Sequence, residues 1–384
     1  MNQPPTPASH LQRRRFMARG LQTAAWAAAG ALSAPAWSAA SADTGSTSAS
    51  TNASAKSQRA DGQPFHVLMI TYRGTTDVDR GFRAYLAETG LNVRFTVRDV
   101  QQDVSRISAI LQEVPALAPD LIYVWGTPIT LAVVGAYDAQ PVPTQIHNIP
   151  VVFALVAEPH KARIVNNLQA PERNVTGAVH VVPLETQLRL MHSYQPFDKL
   201  AVLYNAKEQN SQAIVQQLRE HSGQRKNELI ANSFHTDANG NPSSDGVEEL
   251  IAQMRRAGAQ WLYLLPDTFL GTIYNRITPA ALAQKLPTFG ATEVAVRSGG
   301  ALAGLVSRYY SVGQLAGSKA ADILRGQKTV RDVPVETLKR FSLMVNMQAA
   351  RQLQLYPPID LLNYAEVIAI GPAGMGAGAK GVAS

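Results

Sequence analysis

Short apolar runs alternate along the chain with segments whose apolar positions recur every three or four residues. From Pro64 onward, FHVLMITY, NVRFTV, DLIYVWG, IPVVFALV and NVTGAVHVV read as buried strands, rich in Val, Ile and aromatic residues. Between them lie helical patterns, such as Phe82, Tyr85 and Leu86 closed by Gly90, and Ile107, Ile110, Leu111 and Val114. The same rhythm resumes in KLAVLYN, ELIANSF, QWLYLLPD and LPTFGAT. Strands that alternate with helices build parallel sheets covered on both faces. So many strands exceed one compact sheet, and the pattern predicts two similar α/β lobes with a break near Val182-Pro183. Ligands of such sheets bind beyond the carboxyl ends of the strands, where loops meet helix N-termini.

The segment before Pro64 has no such rhythm. Arg13, Arg14, Arg15 and Arg19 form a charged stretch, residues 20–37 are apolar and mostly Ala, and Ala40-Ser41-Ala42 offers a small-residue cleavage site. These are the parts of a signal peptide over residues 1–42. Arg13-Arg14-Arg15-Phe16-Met17 also fits the twin-arginine pattern, which exports folded cargo. The alternatives are a Sec leader with a spare arginine and an uncleaved anchor, though the Ala-rich core is short for a stable span. Residues 43–63 are Ser/Thr/Ala-rich and nearly without large apolar groups, so a flexible linker is expected there.

Removing residues 1–42 leaves 31 basic and 28 acidic residues, which takes the net charge from +7 to +3. That balance is too small for a nucleic-acid footprint. There is no cysteine, so disulfides, thiolate nucleophiles and Cys-ligated metals are excluded.

Several motifs look like chemistry and read better as structure. Gly376-Ala377-Gly378-Ala379-Lys380-Gly381 spells G-x-G-x-x-G, but no strand precedes it and no helix follows, so residues 372–384 read as a Gly/Ala-rich tail. Asp237, Asn239, Asn241, Asp245 and Glu248 sit at calcium-loop spacing, yet Pro242 occupies the place of the turn glycine. A polar loop with Ser244 or Asp245 capping the next helix is the expectation. The eight histidines form no ligand spacing, there is no G-x-S-x-G elbow, and Glu248-Glu249 reads as a solvated face. Neither an enzyme, nor a cofactor, nor a metal site is expected.

Two longer stretches are more specific: IPVVFALVAEPHKARIVNNLQAPERNVTGAV from Ile149 to Val179, and ALAGLVSRYYSVGQLAGSKAADILRGQKTVRDVPVETLKRFSLMVNMQAARQLQL from Ala301 to Leu355. With GTPITLAVV, LYNAKEQNS and LLPD, they resemble the substrate-binding proteins of ABC transporters, of the tryptophan/tyrosine-binding type. The resemblance covers about residues 64–371. It implies two Rossmann-like lobes of the type I periplasmic binding protein kind, a hinge of crossing segments and a central ligand cleft. It further implies a first lobe at 64–182 with part of 308–340 returning to it, and a second lobe at 183–307 with part of 341–371. The expected function is capture of a small solute in the periplasm, after cleavage near Ala42, and delivery to an inner-membrane ABC permease by a monomer. The alternative is a periplasmic sensor that presents its closed form to a membrane receptor.

A hinge cleft needs contacts from both lobes, so that the ligand favours closure. The expected site takes the loop Tyr72 to Thr75 (Tyr72, Arg73 and Thr75 above all), Thr127 with the backbone around Pro128, and the span Ala154 to Glu158 from the first lobe, and Asn205, Asn210, Ser211 and Asp267 from the second. Thr127 and Ser211 either cap helices or cap them and also touch ligand. Asn174 is expected to shape the turn before its strand. Members of the family often carry an acid before the tyrosine where this chain has Arg308-Tyr309, a His-Pro segment where it has Tyr72-Arg73-Gly74-Thr75, and Asp-Pro where it has Glu158-Pro159. A guanidinium suits a carboxylate or phosphate. Arg308 and Tyr309 therefore join the expected site, with an anionic ligand carrying an apolar or aromatic part that Tyr72, Trp125, Phe153 and Tyr309 could stack on. The other reading has Arg308 pointing outward or paired with Glu158 or Asp267.

Overall fold

The computed structural model describes residues 59–225 and 227–369. The leader, residues 43–58 of the expected linker and the tail lie outside the described residues. Residues 59–63, expected as the linker's end, instead form a turn. It is held by the Gly62 N–H on the Arg59 carbonyl (3.0 Å) and by an ion pair from Arg59 to Asp120 (2.8 Å). The charged and polar groups there anchor to the first lobe without any large apolar side chain.

Five strands open the chain: β1 (Phe65–Thr71), β2 (Val93–Asp99), β3 (Leu121–Trp125), β4 (Val151–Val156) and β5 (Val175–Val179). Helices α1 (Asp77–Glu88), α2 (Ile107–Leu117) and α3 (Thr127–Val134) connect them. Every residue of β1, β3 and β4 is buried, as unbroken apolar runs in a parallel sheet must be. Burying each such Val, Leu or Ile contributes about 1.5–3 kcal/mol.

The second set begins with α4 (Leu184–Tyr194), β6 (Lys199–Tyr204), α5 (Gln209–Arg225) and β7 (Glu228–Ser233). A small hairpin, β8 (His235–Thr236) with β9 (Pro242–Ser243), leads into α6 (Val247–Arg256). Then come β10 (Trp261–Leu264), α7 (Tyr274–Ala283), β11 (Thr288–Gly290), α8 (Glu293–Arg297) and β12 (Ala303–Val306). The chain closes with α9 (Tyr309–Leu324), β13 (Glu336–Thr337), β14 (Ser342–Asn346), α10 (Met347–Leu353), α11 (Ile359–Leu362) and β15 (Ala365–Ile368).

These strands form two sheets, ordered β13-β5-β4-β3-β1-β2 and β15-β14-β12-β11-β10-β6-β7. The first is wholly parallel, and the second has one antiparallel pair, β12 with β14. The fold is therefore two α/β lobes. The chain passes between the sheets after β5, between β12 and α9, and between β13 and β14. Each lobe has its own core.

Helix α9 follows a second-lobe strand but packs on the first lobe, and two glycines make this possible. A Cβ on Gly81 would lie 2.0 Å from the Tyr310 carbonyl oxygen, and one on Gly313 would lie 2.0 Å from that of Val78. Only glycine lets two helix backbones approach so closely. The returning segment is then tied down by Lys319, whose buried ammonium donates to the Pro334 carbonyl (2.7 Å) and pairs with Glu336.

The calcium-spaced loop is the hairpin. Asp237 accepts from the N–H groups of Asn239 (2.9 Å) and Asn241 (2.8 Å), which is turn chemistry. Neither Ser244 nor Asp245 caps α6. The N-cap is Gly246 in the left-handed region (φ 70°), and Ser244 accepts from Arg276 instead. Asn174 donates to the carbonyls of Ile146 and Ile149 (both 2.9 Å), fixing the loop that leads into β4.

Candidate functional site: the cleft between the lobes

A narrow cavity of about 40 Å³ lies between the two sheets, beyond the carboxyl ends of their strands. Arg73, Trp125, Thr127, Leu155 and Ala157 line it from the first lobe, and Glu208, Asn210, Asp267, Thr268, Tyr274 and Thr292 from the second. His180, in the segment leaving β5, and Tyr309, at the start of α9, complete it at the crossings. A hydrogen bond from Arg73 to the Gly271 carbonyl (3.3 Å) spans the lobes. A wider mouth of about 640 Å³ adjoins it, bounded by Tyr72, Asp103, Asn205 and Lys207 and sharing Glu208 and Thr268 with the inner cavity.

Local structure explains these placements. The ladder between β4 and β5 shifts register between Ala154 and Val156, and Leu155 takes a left-handed φ of 57°. Bulges redirect side chains at functional edges, and the strain costs on the order of 1 kcal/mol. Leu155 and Ala157 consequently line the cleft while Ala154 stays in the sheet. Tyr72 stacks on Trp125 (5.3 Å between ring centres) and the Arg73 guanidinium lies over the Trp125 ring at 5.5 Å. Tyr309 meets His180 edge-on at 5.9 Å.

The electrostatics are uneven. Asp267 is wholly buried, and its carboxylate accepts from the Asn205 N–H (2.7 Å), the Ser211 hydroxyl (2.7 Å) and the Leu270 N–H (2.9 Å). Burial pushes its pKa up, and those donors oppose the shift. Glu208 accepts from the Thr268 N–H (2.9 Å) and hydroxyl (2.7 Å). Burial, and then the Asp267 carboxylate, push Glu208 up to about 8. His180 is driven down to about 4 by burial and is neutral at ordinary pH. Asn210 donates to the Pro266 carbonyl (2.8 Å), but its buried Oδ1 has no partner. Among the described residues Arg73 makes no ion pair, although two buried acids share its cavity.

An unfolded glutamate ionises near 4.5, whereas Glu208 holds its proton to about 8. In that window the folded protein keeps a proton that the unfolded chain has released. Stability from this group is therefore full below about pH 4.5 and falls as pH rises towards 8. Glu208→Gln should gain on wild type between pH 5 and pH 8, by on the order of a few kcal/mol in chemical unfolding. A difference that stays constant with pH would refute this.

Of the residues expected from sequence, Arg73, Thr127, Asn210, Asp267 and Tyr309 line the inner cavity, and Tyr72 and Asn205 line the mouth. Thr75, Ala154, Glu158 and Ser211 do not line the cavity; Thr75 is exposed and Ser211 is buried beneath Asp267. Thr127 is no cap, because Gly126 holds that position with φ 79°; its hydroxyl accepts a long bond from the Ala157 N–H (3.4 Å). Phe153 is buried in the sheet. Leu155 and Ala157 fall within the expected Ala154 to Glu158 span, whereas Glu208, His180, Tyr274 and Thr292 were not expected.

Arg308 lies outside the cleft lining. It pairs with Glu293 (3.1 Å) and with Glu366, neither of them the partners considered, and Arg297 pairs with the same two acids. Glu293 also accepts from the Tyr309 N–H (2.6 Å). The anionic-ligand expectation thus loses the residue it rested on. Arg308→Glu would set three carboxylates together, and a loss of about 2 kcal/mol is expected, a fall in melting temperature of roughly 5 °C. A variant as stable as wild type would show that the cluster contributes nothing.

Two lobes closing on a cavity that both of them line define a bilobal ligand-binding protein. The chain belongs to the ABC transporter substrate-binding protein family, whose profile matches residues 68–368. It is 26% identical over 278 residues to a tyrosine-binding protein of Clostridioides difficile, covering 72% of this chain and 74% of that one. Its fold matches a Streptococcus pneumoniae ABC domain in complex with L-Trp, with a TM-score of 0.68, 20% identity and coverage of 80% and 100%. It also matches a conserved domain protein from Vibrio cholerae, with a TM-score of 0.69, 24% identity and coverage of 79% and 99%. Among the described residues no helix is long and apolar enough to cross a membrane, and no group of side chains could hold a metal ion.

Proposed function

We propose that the protein captures an aromatic α-amino acid in the interlobe cleft, outside the inner membrane, and delivers it to an ABC permease. The observation that carries this is the charge layout of the cavity: one guanidinium without an acid partner faces two buried carboxylates across a space walled by aromatic rings. Arg73 would take the ligand's carboxylate, in a charge-assisted bond made in a dry site. Asp267, Glu208 and the free Oδ1 of Asn210 would take the ammonium group, and Trp125, Tyr274 and Tyr309 the ring. A purely anionic ligand would have one cation to pair with and the Asp267 carboxylate beside it, with no ammonium to offer the two buried acids, which disfavours it.

The relatives' tyrosine and L-Trp support the ligand class. The arginine-rich leader of residues 1–42 supports export, with the twin-arginine route favoured by Arg13-Arg14-Arg15-Phe16-Met17. Contacts from both lobes would make the ligand stabilise the closed form, the form a permease would receive.

A thermal-shift titration with L-tyrosine and L-tryptophan tests the reading. Ligand at a hundred times its dissociation constant adds about 2.7 kcal/mol, enough to raise the melting temperature by several degrees. No shift with either amino acid at millimolar concentration would reject the assignment.

A further inference from the structure

The cavity holds one more carboxyl group than an amino acid requires. A zwitterion brings one ammonium, and Asp267 already has three protein donors. Glu208 accepts from Thr268 and from the Asn210 side chain, lines both the inner cavity and its mouth, and is 6% exposed. The charged and titratable groups around it are Asp267 beside Thr268, Tyr72 and Arg73 after β1, Lys207 on its own loop, Asp103 across the mouth, Tyr274 on α7, and His180 and Tyr309 at the crossings. Arg73 is the cation of the inner cavity, and in the proposed complex it is taken by the ligand's carboxylate. Two buried carboxylates with a single guanidinium cannot both be ionised cheaply in an empty, closed cleft.

We infer that Glu208 is the counter-ion of the ligand's ammonium group and passes its proton to solvent when the ligand enters, so that capture is coupled to proton release. This rests on the amino-acid reading above. The exchange balances: a neutral carboxyl and an ammonium come together, the carboxyl O–H bond breaks, the proton goes to buffer, and an ion pair remains. The raised pKa of Glu208, about 8, supports the same direction. A neutral Glu208 fits an empty cleft and an ionised one a filled cleft. Ligand affinity then depends on pH even though neither the ligand's ammonium nor its carboxylate titrates between pH 6 and pH 8.

Calorimetric titration of the protein with L-tyrosine and with L-tryptophan, at pH 6.5 in two buffers of different ionisation enthalpy, reads the proton count directly. The expected result is release of about one proton per ligand, and affinity that rises about tenfold per pH unit from 6 to 8. Glu208→Gln should bind with no buffer-dependent heat and a flat pH profile. Binding by wild type with no proton released would overturn the inference, and so would release that persists in Glu208→Gln. Should that variant fail to fold, the infrared band of a protonated carboxyl in wild type decides: it must vanish on binding. No binding of either amino acid would instead reject the ligand class, a result distinct from tight binding without proton release.

Discussion

Arg73→Met is expected to weaken capture of L-tyrosine or L-tryptophan by about 100- to 1,000-fold, or about 3–4 kcal/mol, with little change in the melting temperature of the empty protein. The two halves of this outcome have separate causes. The guanidinium has one long hydrogen bond, to the Gly271 carbonyl at 3.3 Å, and lies over the Trp125 ring, so the fold loses little when methionine keeps the stem. The ligand would lose its only cationic partner in the inner cavity and leave a carboxylate buried and unpaired. Arg73→Lys should recover part of the loss, because an ammonium supplies charge without the planar fork. The measurement is the dissociation constant of each variant. Wild-type affinity in Arg73→Met would remove Arg73 from the site.

The largest effect on stability is expected at the seam between α1 and α9. Gly81→Val and Gly313→Val each place side-chain atoms against a backbone carbonyl that even a Cβ would approach to 2.0 Å. Backbone cannot step aside as a flexible side chain can, so α9 must lift off the first lobe. A loss of about 3 kcal/mol or more is expected, a fall in melting temperature of about 10 °C. Gly223→Ala is the control. It lies inside α5 with nothing within 4 Å of its would-be Cβ, and should be neutral or stabilising by up to about 1 kcal/mol. If the seam variants melt with the control, the close approach of the two helices is not what holds α9 in place.

Much of the fold was legible because parallel strands buried on both faces leave an unambiguous trace. FHVLMITY, DLIYVWG and IPVVFALV all became fully buried strands of the first sheet. Some of the strands missed lack such a trace, although Ser342–Asn346, largely buried, was missed as well. Glu336–Thr337 is two residues long, and Ala303–Val306 is a four-residue strand with a glycine in it. The packing of α9 across to the first lobe was invisible to periodicity, since Gly81 and Gly313 read as weak helix positions until their neighbours are known.

The site divides along the same physical line. Loops after strands were the right places to look, and Arg73, Asn210 and Asp267 came from there. Individual residues at those places were harder. Glu208 stands in LYNAKEQNS beside Lys207, where a charged pair reads as surface; only burial makes it a cleft group. Within the expected span Ala154 to Glu158, it is Leu155 and Ala157 that line the cleft, because one register shift turns the chain there, and a bulge is not written in side-chain pattern. Arg308 shows the opposite error. It was read by its charge beside Tyr309, but the two acids that hold it come from α8 and β15, 15 and 58 residues away.

The central claim is that the cleft recognises an amino acid by both of its charged ends. The most direct test is a calorimetric comparison of L-tryptophan with indole-3-propionic acid, which keeps the ring and carboxylate and lacks the amine. The account requires the acid to bind at least about 100-fold more weakly, because Asp267, Glu208 and Asn210 would face no donor. Equal or tighter binding of the acid would contradict it and return the cleft to an anionic ligand.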